Sequence, residues 1–152
     1  MSTWNTQLAY QEAAVRNAGP VDLIIILYDI LVRDLQKAIA AMEAGQIELR
    51  TRHIKHGLLA LQQLEGTLDR EKGGDLTASM LRFYSVMRAQ MVKAQAQQDP
   101  AVLRESIRLL FTVREAWVEM KAKLASSAPE PARPSRPSAY DEVEVRSSSW
   151  NS

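Results

Sequence analysis

Apolar side chains recur every three or four residues over most of the chain, which is the spacing of amphipathic helices. The first such stretch begins at Pro20, whose missing N–H suits a first helical turn, and it continues without a breaker to Gly45. Gly45 favours the left-handed conformation that follows a helix end, so we expect the helix to stop there. Its apolar stripe consists of Ile24, Tyr28, Leu31, Leu35, Ala38 and Met42.

Three further stretches repeat this spacing. The second covers about residues 46–68 and carries a polar face opposite its apolar one. The third follows the Gly73-Gly74 turn, and the fourth starts at Asp99-Pro100, where an Asp cap precedes Pro at the first helical position. The apolar face of the second stretch is Ile47, Ile54, Leu58, Leu61, Leu64 and Leu68. That of the third is Leu76, Met80, Phe83, Met87, Met91 and Ala94, and that of the fourth is Leu103, Ile107, Leu110, Trp117, Met120 and Leu124.

The connections between these four helices are very short, so neighbouring helices must run antiparallel. No strand-like alternation appears in the first 124 residues. The sequence therefore predicts an all-α, up-down-up-down four-helix bundle over residues 20–124. Residues 1–19 form a short helix or a mobile cap, and the Pro/Ser-rich residues 125–152 are predicted to be a disordered tail. A short linear motif over residues 140–145 is an alternative interpretation for part of that tail.

Composition narrows the class of protein. The 152 residues are 46% hydrophobic and carry 19 basic and 18 acidic side chains, which disfavours a general nucleic-acid binder. There is no cysteine, no basic and apolar leader, and no apolar run close to the length of a membrane span. These features predict a cytoplasmic protein.

The two histidines are the only candidates for metal or phosphoryl chemistry. Neither His53 nor His56 follows a Glu by three residues, as di-iron bundles require, and the neighbouring basic side chains would repel a cation. We expect no metal, no cofactor and no enzyme activity. An alternative is a histidine phosphotransfer protein acting through His53, with Gly57 one turn later admitting a partner. A polar helix face with one Gly for close packing explains the same residues.

A weaker alternative is nucleic-acid binding by a basic helix face. Arg50, Arg52 and Lys55 lie together on the predicted second helix, opposite its apolar side. We interpret this face as solvated.

The first and third helices carry more apolar surface than one stripe provides. Residues 23–32 are apolar around nearly the whole circumference, and the third helix adds several methionines, which adapt to varied apolar ligands. A helix that is apolar all round must be covered on every side. A partner helix or the N-terminal segment is expected to cover the remainder.

Several short motifs follow one another in order between about residues 8 and 120. The most specific is the segment from Leu68 to Leu76, which contains the paired glycines. The others are Ala9-Tyr10-Gln11, Gly19-Pro20-Val21-Asp22-Leu23-Ile24, Leu27-Tyr28-Asp29, Tyr84, Met87, Asp99-Pro100 and Ala116-Trp117. Together these motifs resemble the flagellar secretion chaperone family that serves flagellin. The chain departs from the family pattern at Ile30, Ser79 and Val86 and in its long tail.

The resemblance implies an antiparallel four-helix bundle that binds the disordered C-terminal segment of flagellin in the cytoplasm. Binding would prevent premature polymerisation, and the complex would dock on the cytoplasmic domain of the flagellar type III export gate. In the family, the segment around the Tyr of the Ala-Tyr motif helps docking and can cover the empty groove. That role would fall on Tyr10, with Leu8 as its neighbour.

A disordered client must lose entropy when it binds, so it needs a long apolar groove. We expect the flagellin-binding groove near Leu27, Tyr28, Leu64, Leu68, Met80, Tyr84 and Met87. An uncovered groove can also lead the free protein to form a homodimer.

Overall fold

Four helices make up the described part of the chain, which comprises residues 19–69, 71 and 73–127 of a computed structural model. They are α1 (Pro20–Glu43), α2 (Ile47–Gly66), α3 (Gly74–Gln97) and α4 (Pro100–Ser127). No strand occurs among these residues. The N-terminal segment and the tail beyond residue 127 lie outside the described residues. α4 continues three residues past the predicted end at residue 124.

The helix ends follow the signals in the sequence. Pro20 is the first residue of α1, and Gly45 after its end has a φ of +69°. The carboxylate of Asp99 accepts a hydrogen bond of 3.0 Å from the backbone N–H of Ala101, which caps the start of α4. At the turn before α3, a Cβ on Gly73 would lie 1.5 Å from Oγ1 of Thr77, so only glycine fits.

Ion pairs and hydrogen bonds between helices establish the antiparallel arrangement. Along α1 and α4 the paired residue numbers rise in one helix as they fall in the other, which defines antiparallel neighbours. The pairs are Asp22 with Lys121, Asp29 with Arg114 and Glu43 with Arg104. Between α2 and α3, Thr51 bonds to Gln95 at 2.8 Å and Glu65 pairs with Arg88 at 2.5 Å. The predicted antiparallel bundle is confirmed.

The core lies between the four helices, and every helix contributes large side chains to it. The predicted stripe of α1 is buried from Ile24 to Ala38, and Met42 is half-buried. Ile47 (60% exposed), Leu76 (52%) and Leu124 (54%) were expected to face inward, and that prediction is wrong. These three residues lie near helix ends, where periodicity alone does not say whether a neighbouring helix extends far enough to cover them.

The chain divides into two units, Met1–Lys121 and Ala122–Ser152. All of the interhelical contacts above lie in the first unit. In the second, the described residues form the last turns of α4, where Oγ of Ser126 donates to the carbonyl of Lys123 at 3.0 Å.

Candidate functional site

The seven side chains expected to form a client-binding groove lie mainly in the core. Six of them are at most 8% exposed: Leu27, Tyr28, Leu64, Met80, Tyr84 and Met87. Only Leu68, just after the end of α2, is half-buried. A four-helix bundle of this size uses these side chains to fill its own interior, so they form no open groove in this conformation. Contact between a client and these residues stays a prediction.

Tyr28 of α1 and Tyr84 of α3 form a polar contact inside that core. Their hydroxyl oxygens lie 3.0 Å apart and their ring centroids 6.3 Å apart, and both side chains are fully buried. Burial raises the pKa of the Tyr28 phenol, against a lowering by its hydrogen bonds with Tyr84 and Trp117. Burial also raises the pKa of Tyr84, and the neighbouring Tyr28 raises it further. Both tyrosines are therefore neutral, and their hydroxyls bond within the protein rather than to a client backbone.

Apolar side chains remain on the surface of α3. Leu76 and Val86 are 52% and 50% exposed, and Phe83 between them is half-buried. Their spacings of seven and three residues place all three on one side of the helix, and we call them the α3 strip. The ring of Phe83 lies 5.8 Å from that of Tyr84, so the strip is continuous with the core. The sequence indicated excess apolar surface on this helix but not which residues are exposed.

The residues expected to dock on an export gate, Leu8 and Tyr10, lie outside the described residues. Their role stays a prediction that rests on the resemblance alone.

The two histidines lie where α2 contacts α1. Nδ1 of His56 is 2.6 Å from a carboxylate oxygen of Asp34, whose side chain is only 9% exposed. Burial raises the pKa of Asp34, although the hydrogen bond and charge of His56 lower it. The pKa of His53 is lowered, first by burial and then by Lys37. No three His, Cys, Asp or Glu side chains among residues 19–69, 71 and 73–127 are grouped as metal ligands.

Gly57 does not admit a partner protein, as the phosphotransfer alternative requires. It is buried against α1 and α3, and a Cβ at this position would lie 2.9 Å from Cε of Met91 and 3.3 Å from Cδ1 of Leu31. The competing interpretation, one Gly for close packing of helices, is confirmed.

The predicted basic face of α2 is smaller than the sequence indicated. Arg50 is only 7% exposed, and its Nε donates to Oε1 of Gln95 on α3 at 3.1 Å. Placing Arg50 on a solvated face was therefore wrong, because a long side chain can turn toward a polar partner on the next helix. Arg52 and Lys55 are exposed as expected.

Fold and surface together define an antiparallel four-helix bundle that retains apolar side chains on its outer surface. None of its helices, over the residues described, combines the length and hydropathy needed to cross a bilayer. Comparison with known proteins gives the family. Residues 3–124 match the family described as flagellar protein FliS.

Similar proteins come from several bacteria. The flagellar secretion chaperone FliSB of Pseudomonas aeruginosa is 34% identical over 106 residues, which cover 70% of this chain and 84% of that protein. The flagellar secretion chaperone FliS of Bacillus subtilis is 29% identical, covering 77% of this chain and 86% of its own length. That of Salmonella typhimurium is 27% identical, covering 74% and 84%. The chain belongs to the FliS family of flagellar secretion chaperones.

Proposed function

We propose that this protein is a cytoplasmic export chaperone whose client is the disordered C-terminal segment of flagellin. It holds that segment, prevents premature polymerisation, and delivers it to the flagellar type III export gate. The observation that carries the proposal is the family match over residues 3–124, which includes all four helices up to residue 124.

The α3 strip supports a surface for the client. A segment that folds on binding loses conformational entropy, and burial of apolar surface must offset that loss. Leu76 and Val86 offer such surface without any rearrangement of the core, because both are about half exposed. Leu68, the one half-buried residue of the predicted groove, precedes this helix in the chain. The client contacts the α3 strip first, and the buried groove residues contribute only if the bundle opens.

A pair of matched valines tests this surface. Val86 and Val92 are 50% and 54% exposed, but they are six positions apart in the chain, so they point about 120° apart around α3. Titration calorimetry and circular dichroism with the full chain and a flagellin C-terminal peptide should give low-micromolar or tighter binding and a gain in helicity. Val86→Ser should weaken binding about tenfold, which corresponds to roughly 1.4 kcal/mol, whereas Val92→Ser should leave it unchanged.

The outcomes separate the parts of the proposal. Absence of both heat and helicity gain would refute flagellin as the client. If both valine variants lose the same affinity for the peptide, or neither loses any, flagellin remains the client but the α3 strip is not its contact.

Docking on the export gate is assigned to Leu8 and Tyr10 by the resemblance. Tyr10→Ala should spare flagellin binding and weaken capture by the immobilised cytoplasmic domain of the gate protein. If a pull-down shows the two interactions reduced equally, this division of roles is wrong.

A further inference from the structure

Arg50 on α2 is the only buried cation among the residues described. It is 7% exposed, and the other buried polar side chains there are Asp34, Thr77 and Ser106. An arginine guanidinium always carries its charge, and a charge removed from water is normally paired with an opposite one. None of the ion pairs in the described part of the chain includes Arg50. No carboxylate of those residues therefore neutralises this buried charge.

One hydrogen bond fixes the guanidinium and leaves its outer end open. Nε of Arg50 donates to Oε1 of Gln95 on α3 at 3.1 Å, and Nε2 of Gln95 donates to Oγ1 of Thr51 at 2.8 Å. The two terminal amino groups of Arg50 bond to no residue that the structure describes. No fully enclosed side-chain nitrogen among those residues lacks a partner, so these amino groups reach the surface. The stem of Arg50 is buried, and its two amino groups are open to a ligand.

The neighbouring carboxylates do not serve Arg50. Glu48 is two residues before it, about 200° around α2, and therefore on the other side of that helix. Asp99, the first carboxylate after Gln95, caps the start of α4. Gln95 itself lies in the last turn of α3, where the helix dipole favours a cation. That dipole makes a buried guanidinium tolerable, but no carbonyl oxygen of the described residues bonds to the amino groups.

The open end of Arg50 defines the chemistry of its ligand. Two parallel amino groups match the two oxygens of one carboxylate, which gives short, charge-assisted hydrogen bonds. Ile47 precedes Arg50 by three residues and is 60% exposed, so an apolar side chain adjoins the amino groups. A carboxylate that belongs to a polypeptide can use both features. Nucleic acid fits less well, because strong binding to phosphates needs several cations.

We propose that the two terminal amino groups of Arg50 bind a carboxylate of the polypeptide that this chaperone holds. Gln95 and Thr51 are positioning residues, and Ile47 is the adjoining apolar contact. The carboxylate belongs to an acidic side chain or to the C-terminus of the client, and both offer the same chemistry. This inference rests on the proposed function and adds a second contact, between α2 and α3, to the α3 strip.

A client on the α3 strip can reach this second contact. Gln95 follows Val86 by nine residues on α3, which is about 14 Å along the helix axis. An extended segment covers that distance in about five residues. One client segment is therefore long enough to meet both places at once.

Titration calorimetry with the full-length protein and three forms of the flagellin C-terminal peptide tests the site. The first peptide is unmodified, the second ends in an amide, and in the third Asn and Gln replace Asp and Glu. One of the two neutralised peptides should bind the wild type about tenfold more weakly than the unmodified peptide, or roughly 1.4 kcal/mol. Arg50→Met should remove this difference. The peptide that loses affinity identifies the source of the carboxylate.

Two further variants separate ligand binding from a structural role of Arg50. Gln95→Glu places a carboxylate beside the guanidinium, so the site gains an anion within the protein and the difference between peptides should disappear. Arg88 also joins α3 to α2, but it is already paired with Glu65, so Arg88→Met should keep the tenfold difference. Circular dichroism checks that each variant is folded; if Arg50→Met is not, Gln95→Glu decides.

A titration without flagellin keeps the two proposals apart. Sodium acetate should shift the Nε–H signal of Arg50 in the isotope-labelled protein in a saturable way, whereas sodium chloride at the same concentrations should not. Such a shift without any peptide binding keeps the carboxylate site and rejects flagellin as the client. If the neutralised peptides lose the same affinity for the wild type and for Arg50→Met, or lose none for either, the site is rejected and flagellin remains the client. Absence of the acetate shift also rejects the site.

Discussion

The hydroxyl groups of Tyr28 and Tyr84 bond to each other, 3.0 Å apart, in the middle of the bundle. The two residues are 56 positions apart in the chain, so the bond joins α1 directly to α3. Among the described residues, no buried side-chain nitrogen or oxygen lacks a hydrogen-bond partner. The pair therefore adds a directional contact between α1 and α3 within a core whose other buried side chains are mainly apolar.

Tyr84→Phe removes one hydroxyl and keeps the ring. We expect the free energy of unfolding to fall by about 1 kcal/mol, because the remaining Tyr28 hydroxyl loses one of its partners. Tyr84→Ala also leaves a cavity and should cost about 3–5 kcal/mol. Urea denaturation monitored by circular dichroism measures both. A Phe variant as stable as the wild type would show that the bond contributes nothing net.

Gly57→Ala should destabilise the protein although alanine favours helix. The better helix propensity is worth about 1 kcal/mol, but the new methyl would lie 2.9 Å from Cε of the fully buried Met91. Overpacking of this kind costs about 1–3 kcal/mol, so we expect a net loss of about 1 kcal/mol. Gly66→Ala is the control, since nothing lies within 4 Å of an added Cβ there; it should raise the midpoint of thermal unfolding.

A double-mutant cycle isolates the contact between Gly57 and Met91. In a Met91→Ala background the clash is gone, so Gly57→Ala should become neutral or stabilising. The coupling between the two sites should be at least about 1 kcal/mol. Additive effects would mean that the cost of Gly57→Ala arises elsewhere, for instance at Leu31.

Much of the fold could be predicted from local signals. Pro20, Gly45 and Pro100 act through their own backbone chemistry, so the helix boundaries near them follow from sequence alone. The placement of Arg50 could not be predicted, because its partner Gln95 is 45 residues away and both side chains are long.

The candidate site was harder to predict than the fold for a related reason. Periodicity identifies which residues of a helix are apolar, but not which of two apolar neighbours lies inside. Tyr84 is fully buried and Val86 is half exposed, although both belong to the same apolar segment of α3. Only the packing of the other helices distinguishes them.

Arg114→Ala should reduce stability more than Arg108→Ala. Nε of Arg114 donates to Asp29 of the neighbouring helix at 2.6 Å, and this bond raises the pKa of the guanidinium. The pair is partly exposed, so we expect a loss of up to about 1 kcal/mol that shrinks at high salt. Arg108 pairs with Glu105 one turn away in the same helix, and both side chains are exposed. If both variants lower the midpoint of thermal unfolding equally, the ion pair between α1 and α4 contributes no more to stability than the pair within α4.

Asp34 should make the protein less stable as the pH rises, which is the reverse of the usual effect of a carboxylate. Burial, its largest influence, raises its pKa above the ordinary value of 3.8, against the lowering by His56. A raised pKa means that the folded protein binds the proton more tightly than the unfolded chain. The contribution of Asp34 to stability is therefore full below about pH 4 and is lost as the pH rises through its pKa in the folded protein.

Asp34→Asn removes this titration and keeps a side chain of similar shape. Between about pH 4 and about pH 5.5, where imidazoles are still largely protonated in the unfolded chain, the wild type should lose stability relative to the variant. His53 acts in the opposite direction, because its pKa is lowered in the folded protein, but it is present in both proteins. Urea denaturation at a series of pH values gives the difference curve. The quantity compared is the free energy of unfolding of the wild type minus that of Asp34→Asn. If it stays constant or increases as the pH rises, His56 compensates fully for the burial of the carboxylate.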